Sequence, residues 1–272
     1  MGIEPVWKQD VITSFEDLGI AIHDIESKEY SLLSIGTGEV IVNLISIKNS
    51  YRPEDLLLLQ DQYQIKNISL LHLWEDIWLT RKVQVIGRIS SIIGLNKRIH
   101  ARKTKVIQIT QKQVDDFLDH NHLLGSAKSN YKFALSLNEQ IIAVVCFSNL
   151  RYMKGLAPGY RSAELIRFAS LSGYTIIGGF TKLLQYFIRN YKPDDIMSYA
   201  DRDWSLGKAY EQSGFKLTDI TPPAEIWLKL DTLVRRFPHR LAIEFVNGKP
   251  DVAAEEYVKV YNTGNLKYIL YL

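Results

Sequence analysis

The chain has 272 residues, longer than the usual single domain of about 100 to 200, so two units or one unit with extensions are expected. A hydrophobic content of 46% against 23% charged residues supplies a sizeable core. No run approaches the roughly 18 apolar residues of a membrane span, so no transmembrane helix is expected, nor a membrane partner. The net charge is only +3, yet Lys and Arg gather in residues 81–105 and 234–240, stretches that suit phosphate contact or simply face solvent.

The opening residues lack a basic stretch followed by an apolar one, so no secretory signal is expected and the expected location is cytoplasmic. Cys146 is the single cysteine, which excludes an internal disulfide and a multi-cysteine metal site. Its apolar surroundings predict a buried structural thiol.

Helical spacing over 5–18 (Val6, Trp7, Val11, Ile12, Phe15) predicts a helix, and three extended stretches follow at 19–25, 30–35 and 39–48. A helix with Pro53 near its start, a strand over 68–74 and a long helix from Glu75 complete a small α/β unit, residues 1–98. The basic stretch 96–105 is expected as a linker. The second unit, 99–230, opens with a strand over 105–110 and a helix over 111–123. Strands at 131–138 and 140–149 are expected as a hairpin turning at Asn138 and Glu139. After a Gly/Pro-bearing loop come a strand over 162–171, the segment 172–179, a helix over 180–191, a strand over 195–201, a helix over 205–214 and two strands to residue 230. Residues 231–272 form a C-terminal extension.

Chemistry concentrates between Glu164 and Phe215. Gly178 and Gly179 open a helix, where bare backbone N–H groups and close approach favour a pyrophosphate; Thr181 and Lys182 lie in its first turn. A structural strand-to-helix turn explains the two glycines equally well. Asp201 and Tyr199 share one face of their strand near the end where ligands gather in open α/β sheets, with Asp201 as base or orienter. Arg202 and Trp204 follow as substrate-contact candidates, whereas Asp203 or Ser205 is expected to cap the helix beginning near Leu206. The pair His120 and His122 lacks a second histidine pair or a carboxylate cluster, so substrate contact or hydrogen bonding is expected of it, and no metal. Glu164 and Arg167, three apart, are expected on opposite faces of a strand, as cleft residues or members of structural ion pairs.

The run Lys208–Phe215 resembles the N-acetyltransferase superfamily, in which a helix of the form A-x-x-x-Tyr-x-x-x-Gly-Phe ends at the glycine; here Tyr210, Gly214 and Phe215 match. The resemblance implies that Tyr210 sits near a sulfur leaving group as general acid; a core tyrosine with its hydroxyl at the rim is the alternative. The glycine turn, Thr175–Phe180, departs from the superfamily pattern of Arg/Gln-x-x-Gly-x-Gly/Ala. Six ordered blocks, at 100–103, 120–126, 164–170, 178–191, 198–215 and 261–270, resemble the C-terminal region of phage Hef-like homing endonuclease proteins, a region similar in layout to the Mom DNA-modification proteins. In those phage proteins the preceding domain resembles restriction and very-short-patch-repair endonucleases, whose metal site needs Asp/Glu-x-Lys; this chain has Ser46, Ile47 and Lys48 there.

The resemblances imply an α/β fold, a mixed sheet flanked by helices of the N-acetyltransferase type, preceded by a small degenerate endonuclease-like domain. They imply an acyltransferase acting on a nucleic-acid base or a related amine, with acetyl-CoA as small-molecule acyl donor and DNA as partner. A non-enzymatic nucleic-acid-binding module is the alternative.

Overall fold

The computed structural model describes residues 6–38, 40–240, 245–246, 249–250 and 256–272. In chain order its elements are α1 (Val6–Glu16), β1 (Ile22–Ile25), β2 (Leu32–Ile35), β3 (Val40–Ile45), α2 (Pro53–Ile65), β4 (Ser69–Trp74) and α3 (Glu75–Ile92), then β5 (Lys97–His100), a 3-10 turn (Ala101–Lys103), β6 (Lys105–Gln108) and α4 (Gln111–Asn121). There follow β7 (Tyr131–Leu137), β8 (Gln140–Phe147), β9 (Arg151–Tyr152), β10 (Arg161–Ser170), β11 (Tyr174–Ile177), α5 (Gly179–Tyr191), β12 (Asp195–Asp201), α6 (Lys208–Gln212) and β13 (Lys216–Ile220). The chain closes with β14 (Glu225–Lys229), β15 (Val234–Arg236), a 3-10 turn (Pro238–Arg240), β16 (Phe245–Val246), β17 (Lys249–Pro250), β18 (Tyr257–Tyr261) and β19 (Asn265–Tyr271). The fold is mixed α/β, with a large mixed sheet flanked by helices. No helix among the described residues is long and apolar enough to cross a membrane.

Two compact units interleave along the chain. Unit 1 comprises residues 1–80, 201–206 and 220–265; unit 2 comprises 81–200, 207–219 and 266–272. In unit 1 the sheet runs β1-β2-β3-β4 with β3 and β4 parallel. Every residue of β3 is buried, as expected of a parallel strand covered on both faces. A three-stranded sheet, β15-β14-β18, joins it: Ile226, Leu228 and Val260 share a core with Ile45, Leu56 and Trp74. Beside this core Arg235 donates to both carboxylate oxygens of Asp76, at 2.6 and 2.8 Å.

In unit 2 the main sheet runs β13-β19-β12-β10-β8-β7-β6. The β7–β8 hairpin turns at Asn138 and Glu139, both at positive φ (47° and 67°), a turn whose twist matches that of the strands. The amphipathic α5 buries Leu183, Leu184 and Phe187 on one face of the sheet, and Phe187 stacks on Phe147 at 3.9 Å. The capped helix α4 covers the other face with Val114, Phe117 and Leu118 against Ala134, Val144 and Cys146. Cys146 is buried, and burial pushes its thiol up to about 11, so it is inert as a nucleophile.

The stretch 96–105, expected as a linker, is ordered. Within it β5 pairs in parallel with β11, and Ile99 and Ala101 pack into the main core of unit 2. Tertiary pairing overrides the basic composition, because its charged side chains stay at the surface while alternate residues turn inward.

Before α6 the chain must pass close to Tyr268. Gly207 has φ +75°, and a Cβ there would lie 1.9 Å from the Tyr268 hydroxyl. Overpacking of roughly 1–3 kcal/mol adds to a left-handed penalty of roughly 1–2 kcal/mol, so Gly207→Ala is expected to lower the urea midpoint clearly. An unchanged midpoint would show that this turn is free to rearrange.

Candidate active site

Parallel strands β10 and β12 pair only over Ser162–Glu164 and Asp195–Met197. Beyond that point β10 continues to Ser170 and β12 to Asp201 with no further ladder between them. Beyond Glu164 and Met197 the two strands no longer form a ladder with each other. At the apex Ser198 Oγ donates to the Leu165 carbonyl oxygen at 2.9 Å and lies 3.0 Å from the Tyr210 hydroxyl. A serine has one proton, so with it committed to the carbonyl the phenol donates to Ser198. The Tyr210 ring stacks on Tyr268 at 5.2 Å and meets Phe180 edge-on at 5.9 Å. Burial raises its phenol above the usual value, opposed by Ser198, Arg167 and Arg88, so Tyr210 is protonated at neutral pH and suited to act as an acid.

A bulge changes the faces of β10. Leu165 pairs with Phe147 and Arg167 with Cys146, so Ile166 is an extra residue. One extra residue resets the period of two, which puts Glu164 and Arg167 on the same face, contrary to the expectation from simple alternation. That face is the one α4 covers, and Met197 and Tyr199 share it through the pairing of Glu164 with Met197. Tyr199 is 40% exposed there, opposite in direction to Ser198. The Glu164 amide donates to Ser148 Oγ at 2.9 Å.

Helix α5 starts from Gly178, at φ +74° and exposed, with no side-chain cap. A Cβ on Gly178 would meet only Ala101, at 3.9 Å, whereas one on Gly179 would lie 2.8 Å from Ile176 Cγ2. The first glycine therefore leaves an open helix N-terminus of the kind an anion occupies, and the second is required by packing. Gly179→Val is accordingly expected to cost roughly 1–3 kcal/mol in a denaturant melt; a neutral effect would remove the packing role. Thr181 is exposed, but Lys182 is committed: its ammonium donates to the carbonyl oxygens of Ala101 (2.9 Å) and Thr104 (2.5 Å). A cavity of about 630 Å³ opens beside the turn, bounded by His100, Arg102, Gly178, Thr181, Gln185 and Arg189. Among the described residues no group of three or more His, Cys, Asp or Glu side chains forms a metal site.

Of the two histidines, His120 donates from Nδ1 to the Asp116 carbonyl at 2.6 Å on the helix surface, while His122 ends α4. Sequence reasoning missed Ser198 and Phe180. Ser198 carried a usable signal, since it alternates with the apolar Ile196 and Ala200 on one face of its strand.

Asp201, Arg202, Asp203 and Trp204 belong with unit 1. Asp203 does not cap α6, whose N-cap is Gly207. Its carboxylate instead accepts from the Thr263 amide at 3.0 Å and from the Thr263 hydroxyl at 2.6 Å. Asp201 accepts from the Asp203 amide at 3.0 Å, and burial followed by the neighbouring Asp203 pushes it up to about 7. Arg202 reaches Asp61 at 3.7 Å, and Trp204 is buried. In the same unit Lys48, Asn49, Tyr51, Trp74 and Lys259 bound a cavity of about 570 Å³, while Glu75 accepts from the Ile47 amide at 2.8 Å.

The buried His72 lies between Asn43, 3.2 Å from its Nδ1, and the Leu56 carbonyl, 3.1 Å from its Nε2; burial lowers it to about 4. A histidine depressed from 6.5 stabilises the fold fully above pH 6.5 and loses that contribution as pH falls through about 4, on the order of 3 kcal/mol. Asp201, raised from 3.8, has the opposite sense: its contribution is full below pH 3.8 and is lost as pH rises toward 7. Urea midpoints between pH 4 and 7 are expected to show the acid loss shrinking in His72→Gln and the loss toward neutrality shrinking in Asp201→Asn. Parallel curves for all three proteins would contradict both assignments.

No family model and no curated protein matches the chain. Among solved structures it is similar to a GNAT family acetyltransferase from Elizabethkingia anophelis with acetyl-CoA bound (13% identity, TM-score 0.36). It is also similar to an IAA acetyltransferase from Bacillus cereus (12%, 0.36) and to a Bacillus subtilis acetyltransferase in complex with CoA (14%, 0.36). Each likeness covers 62% of this chain and 99% of the other. Values this low carry no argument about activity.

Proposed function

We propose that unit 2 is an acyltransferase that passes an acyl group from a coenzyme A thioester to an amine, with a nucleic-acid base or a related amine as acceptor. The observation that carries this reading is the parting of β10 and β12 with Tyr210 at its apex. An extended chain with amide groups fits such a gap as an added strand, because its N–H and C=O groups meet strand edges that no longer pair with each other. The pantetheine arm of coenzyme A has this character. The open N-terminus of α5 at Gly178 fits the pyrophosphate, and the basic cavity beside it, with Arg102 and Arg189, fits further phosphate. The bound donor supplies an activated acyl carbon. Around it Tyr210 holds the proton for the leaving sulfur, Ser198 orients the phenol, and Phe180 and Tyr268 fix its ring.

Calorimetric titration with acetyl-CoA tests the reading. Micromolar binding by the full chain that is lost in Gly178→Asp, where a carboxylate enters the anion turn, is the expected result. Absence of binding by the unaltered protein would remove coenzyme A from the function.

The lysine-lined cavity of unit 1 favours a second reading, a nucleic-acid-binding module derived from an endonuclease-like domain in a phage or mobile element. Binding of duplex DNA that falls steeply with added salt would support it; salt-insensitive or absent binding would sink it.

A further inference from the structure

In unit 1 the loop that follows β3 is fixed by its own hydrogen bonds. Asn49 Nδ2 donates to the Ser46 carbonyl at 2.8 Å, and Asn49 Oδ1 accepts from the Tyr51 amide at 2.9 Å. The Ile47 amide donates to Glu75 Oε2 at 2.8 Å. These bonds engage Asn49 and the backbone and leave Lys48 and Ser50 aside. Both are exposed, and among the described residues neither side chain has a hydrogen-bond or ion-pair partner. Both border the cavity of about 570 Å³.

The rest of that cavity is largely aromatic and apolar. Trp74, 2% exposed, lies at its floor, and Tyr51 and Tyr261 pack against the core to which Trp74 belongs. Tyr51 is held in place: its ring stacks on Tyr30 at 5.3 Å, and its hydroxyl donates to the Glu29 carbonyl at 2.5 Å. Tyr261 shares a face of β18 with Lys259, two residues away. Lys259 also borders the cavity, but its ammonium is engaged by Glu225 at 2.9 Å and lies 4.9 Å from the centre of the Trp227 ring. No carboxylate is among the described lining residues, so Lys48 brings a charge that nothing there compensates.

A volume of this size falls within the roughly 300–1,000 Å³ of small-molecule sites. Rings in a concave wall with a cation and a hydroxyl at its mouth match a planar body that carries a phosphate, whose oxygens accept from both. Within a duplex the faces of a base are covered by its neighbours and only its edges are presented, so these rings meet a base face only when the base is out of the stack.

We propose that this cavity takes one unpaired nucleotide, its base against Tyr51, Trp74 and Tyr261 and its phosphate at Lys48 and Ser50. The nucleotide is free in solution or a residue of a single strand. The strand source deepens the nucleic-acid reading of unit 1 and rests on it; the pocket itself does not, and neither depends on acyl transfer by unit 2.

Titration of the full chain with thymidine, thymidine 5′-monophosphate, a thymidylate single strand and the same strand paired with its complement tests the pocket. The monophosphate is expected to bind at least about tenfold more tightly than thymidine, an advantage that shrinks with added salt and is lost in K48Q. Y261L, which keeps an apolar side chain but not the ring, is expected to weaken both ligands about tenfold. Urea midpoints separate lost binding from lost folding; where Y261L shifts the midpoint, K48Q decides, because Lys48 is exposed and holds no other group. A single strand bound more tightly than its duplex, and weakened by K48Q, assigns the strand as the source. Binding of the monophosphate with neither strand nor duplex bound assigns the free nucleotide and overturns the nucleic-acid reading alone. Equal affinity for thymidine and its monophosphate, an advantage that survives K48Q, or no binding of monophosphate or strand overturns the pocket. A duplex bound as tightly as the strand, with both variants silent, overturns it too and leaves the duplex-binding reading standing.

Discussion

Asp76→Ala is expected to lower the unfolding free energy by about 3–5 kcal/mol, the usual cost of removing one partner from a buried ion pair. The Asp76 side chain is 1% exposed and receives two hydrogen bonds from Arg235, whose guanidinium also lies 5.6 Å from the centre of the Trp74 ring. The alanine variant leaves the guanidinium beside that ring without its two carboxylate hydrogen bonds, with Asp201 and Asp203 acting on it only through their charges, and the loss exceeds what a surface pair of the same geometry would give. Urea unfolding of Asp76→Ala, Arg235→Met and the double variant checks it. The double variant is expected to recover part of the loss, since it removes the stranded charge. A loss below about 1 kcal/mol in Asp76→Ala would mean that solvent screens the pair.

Tyr210→Phe is expected to lower acyl transfer by about 10²–10⁴-fold, the range for loss of a positioned acid, with acetyl-CoA affinity retained. The substitution keeps the ring that stacks on Tyr268 and meets Phe180, so stability should change little. Thiol release from acetyl-CoA in the presence of an amine acceptor, followed across pH, separates chemistry from structure. The unaltered protein should lose activity on the basic side as the phenol ionises, above its ordinary value because burial raises it, and the variant should lack that limb. Equal rates, or the same basic limb in both, would leave Tyr210 as a core residue only.

Much of the path to these residues was legible in the sequence. The glycine pair before an amphipathic segment marked the start of α5, and the Asn138–Glu139 turn between two apolar runs marked the β7–β8 hairpin. Tyr210 stood out through the resemblance of its run, with Gly214 and Phe215, to the N-acetyltransferase superfamily, and the structure brings its hydroxyl to Ser198. The strand position of Ser198 could have been used, but nothing local says that the ladder between β10 and β12 stops after Glu164. Likewise a single extra residue at Ile166 reverses the face of Arg167, and a bulge has no dependable local signature.

Local chemistry alone, through hydrophobic period, turn residues and the absence of long apolar runs, determined the α/β class, the position of most helices and strands, and the burial of Cys146. Those features depend on contacts between near neighbours, which a linear pattern records. Tertiary structure decided the rest: that residues 220–265 join the first 80 in one unit, that 96–105 supply a strand paired with β11, that Asp203 binds Thr263 and caps no helix, and that Tyr210 reaches Ser198. Each is a partnership between residues far apart in the chain, chosen by the burial and hydrogen bonding of the whole fold, and no local spacing encodes it.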